Sequence, residues 1–274
     1  MRQGVMAASA VVLLLALSSS SPSQTIADNH RESLVAPVQT ASQVSTATAA
    51  PGQHALSPEE MGDLFMARKD YREAAQMYKR LSDENPTNAV YLNKLGIALH
   101  QQSALGLALK YYERAFKVDP QYADAENNVG TIWYQRKRFG RAIKAYQKAI
   151  QLRDDMPVLY SNLGYAYFGD KRYDDSIAAF RSALKIDPEF FERGGSRSGS
   201  VLQDRTVEER GRFYYLLAKS FMQSGDQERC LLYLRKAMED GYAVLAEAKR
   251  DAVLVGILKD PMVVEELTPK VAEK

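Results

Sequence analysis

A chain of 274 residues with 46% hydrophobic and 26% charged side chains has the balance of a folded protein, not of a disordered one. Its 36 Lys+Arg against 34 Asp+Glu leave a net charge of +2, so global charge points to neither nucleic acid nor membrane. A single cysteine, Cys230, excludes an internal disulfide and a cysteine metal cluster, and three histidines (His30, His54 and His100) leave few metal ligands or proton shuttles.

In chain order the first element is a targeting segment. Arg2 precedes an uncharged run from Val5 to Leu17, VMAASAVVLLLAL, which is short for a bilayer span and suits the apolar region of a secretory signal. Small residues follow, and Thr25-Ile26-Ala27 offers a cleavage site before Asp28. Residues 1–27 are therefore expected to be a signal peptide, and the mature chain to be exported, periplasmic or secreted, without an integral membrane span. The alternative is a chain anchored to the membrane by an uncleaved N-terminal segment. Residues 28–53 are rich in Ala, Ser, Thr, Gln, Val and Pro with no 3.6 period. Such a stretch buries too little apolar surface to offset its ordering entropy, and it reads as a disordered low-complexity linker.

From residue 54 onward the chain repeats itself. Met61-Gly62, Leu95-Gly96, Val129-Gly130 and Leu163-Gly164 recur every 34 residues. Twelve residues after each glycine stands Ala74, Ala108, Ala142 or Ser176, and four further on Tyr78, Tyr112, Tyr146 or Phe180. Within one unit, Tyr160, Leu163, Gly164 and Tyr167 lie on one helical face, and Ile177, Phe180, Ala183 and Leu184 on another. Each unit is thus a helical hairpin, with Gly164 and Ser176 small where the two helices cross closely. Ser57-Pro58-Glu59-Glu60 and Thr206-Val207-Glu208-Glu209 are capping boxes, and Asp260-Pro261 pairs an N-cap with proline at the first helical position.

This spacing and residue set resemble the tetratricopeptide repeat (TPR) family. The resemblance covers four units over 54–190 and resumes in a fifth over 206–242, where Tyr214, Leu217-Ala218, Phe221, Cys230, Leu234 and Ala237 fill the repeat positions. A Gly/Ser-rich insertion, 191–205, separates them, and 243–268 reads as capping helices over the last apolar face. The expected fold is all-α: a right-handed helical-hairpin solenoid of about five units. Cys230 is expected to be a small packing residue facing Ala218.

Chemistry is sparse. No phosphate-cradling glycine motif, HExxH, CxxC or EF-hand loop occurs, so no catalytic residue, metal site or cofactor is expected, and the chain is read as a non-enzyme. Unit three carries Arg136, Lys137, Arg138, Arg141, Lys144, Lys148 and Arg153, but the near-neutral whole argues against nucleic acid and leaves a solvated face or attraction to an anionic partner.

In a stacked array of this kind the first helices line the concave face. The resemblance implies a peptide-binding groove there, formed by Asn93, His100, Asn127, Asn128, Tyr134, Asn162 and Tyr165. Asn128 and Asn162 stand immediately before the Val-Gly and Leu-Gly pairs, and in family members that hold extended peptides an asparagine at this slot can bond the ligand backbone. A carboxamide offers both a donor and an acceptor, which matches a peptide unit of any sequence. The same asparagines could instead serve packing between repeats. The family's carboxylate clamp, a lysine followed four residues later by asparagine, is not matched by Glu59/Asp63, Asn93/Ile97, Asn127/Thr131 or Ser161/Tyr165. The expected function is an exported scaffold binding a protein or extended peptide. The alternative is a structural assembly component, a homo-oligomer self-associating through repeat or cap surfaces.

Overall fold

The 34-residue period takes shape as a row of helix pairs. The computed structural model describes residues 56–193 and 206–268. The expected signal peptide, the linker and residues 194–205 of the insertion lie outside the described residues. Contacts divide the chain between Gln53 and His54, and every described residue belongs to the second unit.

The first eight helices are α1 (Pro58–Arg68), α2 (Tyr71–Glu84), α3 (Ala89–Gln101), α4 (Leu105–Val118), α5 (Ala123–Gln135), α6 (Phe139–Leu152), α7 (Pro157–Gly169) and α8 (Tyr173–Ile186). Beyond residue 206 come α9 (Val207–Gln223), α10 (Gln227–Glu239), the short α11 (Val244–Ala248), a 3-10 turn (Val255–Lys259) and α12 (Pro261–Glu266). No strand occurs among the described residues. From α1 to α10 the helices pair into hairpins, and the second helix of each hairpin packs on the first helix of the next. The result is a helical-hairpin solenoid.

The helix-start signals act locally as their chemistry requires. Ser57 Oγ accepts from the Glu60 backbone N–H while the Glu60 carboxylate accepts from the Ser57 N–H at 2.8 Å, and Thr206 and Glu209 repeat the arrangement. Asp260 accepts from the Met262 N–H at 2.9 Å. The turns inside the hairpins use a device with no sequence signature. Lys69, Ser103, Lys137 and Lys171, again 34 residues apart, adopt left-handed backbone with φ of 65, 61, 56 and 61°. The fifth hairpin places Gly225 there at φ 86°.

Close approach within each of the first four hairpins rests on the glycine. A Cβ added at Gly62, Gly96, Gly130 or Gly164 would lie 2.7, 2.5, 2.6 or 2.4 Å from the Cε1 atom of Tyr78, Tyr112, Tyr146 or Phe180. The small residue twelve positions on does meet the glycine, since Ser176 Oγ donates to the Gly164 carbonyl at 2.8 Å. The ring sixteen positions on is what excludes a side chain.

The fifth hairpin is joined to the fourth by aromatic packing. Phe213 of α9 stacks on Tyr165 with centroids 5.3 Å apart and meets Phe168 and Phe180 edge-on. Phe190 and Phe191 are buried in the same cluster, with Phe191 edge-on to Phe180. Phe191 therefore belongs to the core, not to the insertion in which the sequence reading places it, because the fourth and fifth hairpins meet around it. Cys230 is buried against this cluster, and burial pushes its thiol up to about 12. Val244, Ala248, Leu254, Ile257, Val263 and Leu267 close the end of the array from the short C-terminal helices and the turns between them.

Candidate functional site

The first helices α1, α3, α5 and α7 are tied to one another by a polar seam with a constant step. Lys94 Nζ donates to Glu59 Oε1 at 2.8 Å, Asn128 Nδ2 to Asn93 Oδ1 at 2.9 Å, and Asn162 Nδ2 to Asn127 Oδ1 at 2.9 Å. Each bond spans 35 residues, one repeat plus one position, so a single side-chain slot donates to its neighbour's slot along the array. The first rung is ionic and the next two are amide pairs.

The seam stops at the fourth unit. Ser161 occupies the slot of Asn93 and Asn127, and by repeat register the fifth unit supplies Leu216 where a donor would stand. Ser161 is 1% exposed, and its Oγ has no hydrogen-bond partner among the described residues. A buried hydroxyl left without a partner costs free energy, so the seam ends on a local defect.

Lys94 also reaches Asp63 at 2.8 Å, Tyr78 donates to Asp63 at 2.5 Å, and Tyr91 donates to Glu59 at 3.0 Å. Bonds from Lys94 and Tyr91 hold the Glu59 carboxyl below its ordinary range. Partial burial of Asp63 works the other way, but the bonds from Lys94 and Tyr78 outweigh it and lower that carboxyl too. Burial likewise opposes the Lys94 charge, and its two carboxylate partners hold it above the usual lysine value.

A second link of the same step joins α3 to α5. His100 Nε2 is hydrogen-bonded to Gln135 Oε1 at 3.0 Å, and His100 Nδ1 to the Tyr112 hydroxyl at 3.4 Å. The imidazole thus connects the two repeats, with both ring nitrogens engaged.

The residues expected to line a groove separate into two groups. Asn127, Asn128 and Asn162 are half-buried on the seam and spend one amide function each on the adjacent repeat. Asn128 Oδ1 and Asn162 Oδ1 accept no hydrogen bond among the described residues. Asn93 is 4% exposed and saturated on two sides, accepting from Asn128 and donating to the Tyr122 hydroxyl at 3.3 Å. Tyr165 is 3% exposed, so its ring is core and not groove: α9 covers it with Phe213. Tyr134 is half-buried, edge-on to Phe139 with centroids 5.5 Å apart. Lys94 with Glu59 and His100 with Gln135 share the 35-residue step between complementary polar residues on successive first helices, while Asp63 meets Lys94 at a separation of 31.

Among the described residues no group of His, Cys, Asp and Glu is placed to hold a metal ion, and no helix is long and apolar enough to cross a membrane. Stacked helical hairpins joined by a polar seam on their first helices define a helical-repeat protein, and the family matches make the class specific. Profiles described as "Tetratricopeptide repeat" match residues 48–121, 157–190 and 211–239, and one described as "TPR repeat" matches 130–171. The chain belongs to the tetratricopeptide repeat family. Among proteins of curated function none matches it. Similar solved structures include one described as "Crystal structure of MamA", 23% identical over 66% of this chain and 94% of that one, with a TM-score of 0.48. MamA from Desulfovibrio magneticus RS-1 is 18% identical over 67% of this chain and 93% of that one, also at 0.48. YrrB, described as "a TPR protein with an unusual peptide-binding site", is 14% identical over 74% of this chain and 90% of that one, at 0.45.

Proposed function

We propose that this chain is an exported scaffold that holds an extended segment of a partner protein along its first-helix face. The observation that carries the reading is the unspent oxygen on Asn128 and Asn162. Each amide is fixed by its rung to the preceding repeat, and each presents an acceptor at the same register of successive units. Acceptors held in place lose little entropy on binding, and a row of them suits the N–H groups of an extended backbone whatever its side chains. Export rests on the charge-free run from Val5 to Leu17 after Arg2.

The rungs permit a test that separates binding from packing. Asn127→Ala and Asn162→Ala cut the same bond from opposite sides, so both lower stability by a similar amount, about 0.5–1.5 kcal/mol. Only Asn162→Ala removes the acceptor. Against peptides selected on the wild-type chain from a random library, Asn162→Ala is expected to weaken binding about 10-fold, and Asn127→Ala, which frees the acceptor without removing it, to weaken it by no more than about 3-fold. Equal effects from the two variants, or none from either, overturn the groove reading. Fractionation of the producing cell with N-terminal sequencing of the recovered chain tests export independently. Recovery from the cytoplasm with an intact Met1 end refutes it.

A further inference from the structure

The turn between α5 and α6 and the start of α6 concentrate positive charge. Arg136, Lys137, Arg138, Arg141 and Lys144 are all exposed, and none forms an ion pair among the described residues. The whole of α6 contains no aspartate or glutamate. On the other second helices Lys79 is matched by Asp83 and Arg80 by Glu84, while Lys110, Arg114 and Lys117 of α4 and Arg181 and Lys185 of α8 form no ion pair among the described residues; what sets the elbow apart is the tryptophan beneath its guanidiniums.

The elbow is also fixed in place. Lys137 sits in left-handed backbone, with its N–H bonded to the Tyr134 carbonyl at 2.8 Å and the Arg138 N–H to the Trp133 carbonyl at 2.9 Å. Trp133 is half-buried against two of the core clusters, and the guanidinium carbons of Arg136 and Arg141 lie 5.4 and 4.5 Å from its ring centroid. A guanidinium held over an indole keeps in-plane N–H donors, the groups that make bidentate carboxylate bonds. Two other anionic partners fit less well. The indole is occupied by core side chains and guanidiniums, so it offers no platform for a nucleic-acid base. No large apolar side chain on α5 or α6 is exposed to enter a bilayer.

We propose that the α5–α6 elbow is a docking site for an acidic polypeptide segment of a partner protein, read by guanidinium forks held on Trp133. It lies apart from the amide seam and does not depend on it. Like charges held together without neutralisation repel one another, and an aspartate- or glutamate-rich segment relieves that repulsion while engaging the forks.

Trp133 is the only tryptophan in the chain, so its fluorescence reports on the elbow alone. The full chain is titrated with a synthetic poly-glutamate peptide, and in parallel with phosphatidylglycerol vesicles and a single-stranded oligonucleotide. The peptide is expected to produce a saturable change in emission, weakening about 10-fold as ionic strength rises from about 0.05 to about 0.3 M. Lys137→Glu/Arg138→Glu/Lys144→Glu, which leaves both guanidiniums over Trp133, is expected to lose at least about 100-fold in affinity with an unchanged helical signal. Arg136→Lys/Arg141→Lys keeps the charge but not the forks, and is expected to lose about 10-fold. No response to the peptide overturns the proposal, as does equal or tighter binding of vesicles or oligonucleotide. So does salt-sensitive self-association that the triple variant abolishes and the peptide fails to compete. Full affinity in the Arg→Lys variant refutes the fork mechanism.

Discussion

Gly164→Ala isolates the contact on which the first four hairpins depend. Alanine is the better helix former by about 0.5–1 kcal/mol, so propensity alone predicts a gain. The added Cβ, however, would stand 2.4, 2.5 and 3.0 Å from Cε1, Cδ1 and Cζ of Phe180. Carbon atoms pack best at about 3.5–4.0 Å, so the ring must withdraw by about 1 Å. Phe180 has no room to do so. It is fully buried, with Tyr165, Phe191 and Phe213 edge-on around it at centroid distances of 5.4, 5.5 and 5.7 Å. Overpacking of this kind costs about 1–3 kcal/mol, and with rings on three sides the upper end applies, leaving a net loss of about 2 kcal/mol. Gly140→Ala is the matched control. Its added Cβ meets nothing within 4 Å, so the same chemical change is expected to stabilise by about 0.5 kcal/mol. Urea unfolding of the full chain, followed by far-UV circular dichroism, reads both. In a Phe180→Leu background the ring is gone, and the Gly164→Ala penalty is expected to vanish. The reasoning is refuted if Gly164→Ala unfolds at or above the wild-type midpoint, or if its penalty survives in that background.

Three further outcomes are expected. Lys171→Gly relieves left-handed strain of about 1–2 kcal/mol at the cost of glycine's extra entropy in the unfolded chain, and should raise the urea midpoint by the equivalent of about 0.5–1 kcal/mol. Ser161→Ala removes a buried hydroxyl with no partner among the described residues, so it should leave stability unchanged or raise it by about 1 kcal/mol, whereas a loss would mean that the hydroxyl is satisfied. Glu59 and Asp63 have depressed pKa values in the fold, so their stabilisation is present above ordinary carboxylate values and fades as pH falls from about 5 to about 3. Urea midpoints measured across that range should fall less steeply for Lys94→Met than for the wild type, and parallel slopes would remove the seam's ionic rung from the account.

The hairpins were legible in the sequence because their cause is periodic. Glycine, a small residue and an aromatic recur at fixed offsets, and Ser57, Thr206 and Asp260 mark helix starts by side-chain chemistry that acts within three residues. Three features were not legible. The left-handed turns fall on Lys69, Ser103, Lys137 and Lys171, residue types without the glycine or asparagine signal, because the hairpin geometry imposes the conformation from outside. The fate of Asn128 and Asn162 depends on which side chain the preceding unit presents. A stripe read within one helix assigns them to the groove, while the 35-residue step ties them to Asn93 and Asn127. Tyr165 was misplaced for a similar reason. Its neighbour Phe213 lies beyond the insertion, and sequence spacing alone does not show that α9 packs on the fourth hairpin, with Phe213 against Tyr165, despite the broken register.

That last join separates adjacency in space from distance along the chain. Between the earlier hairpins a short, constant connector accompanies each stacking contact, so either could be setting the order of the units. Between α8 and α9 the connector departs from the period, and the rings of Tyr165, Phe180, Phe191 and Phe213 still bring the faces together. Doubling the length of such a connection costs only about 0.6 kcal/mol in closure entropy. A new sequence inserted between Arg193 and Thr206 would therefore lengthen the chain there while leaving the polar seam of the first four units in register.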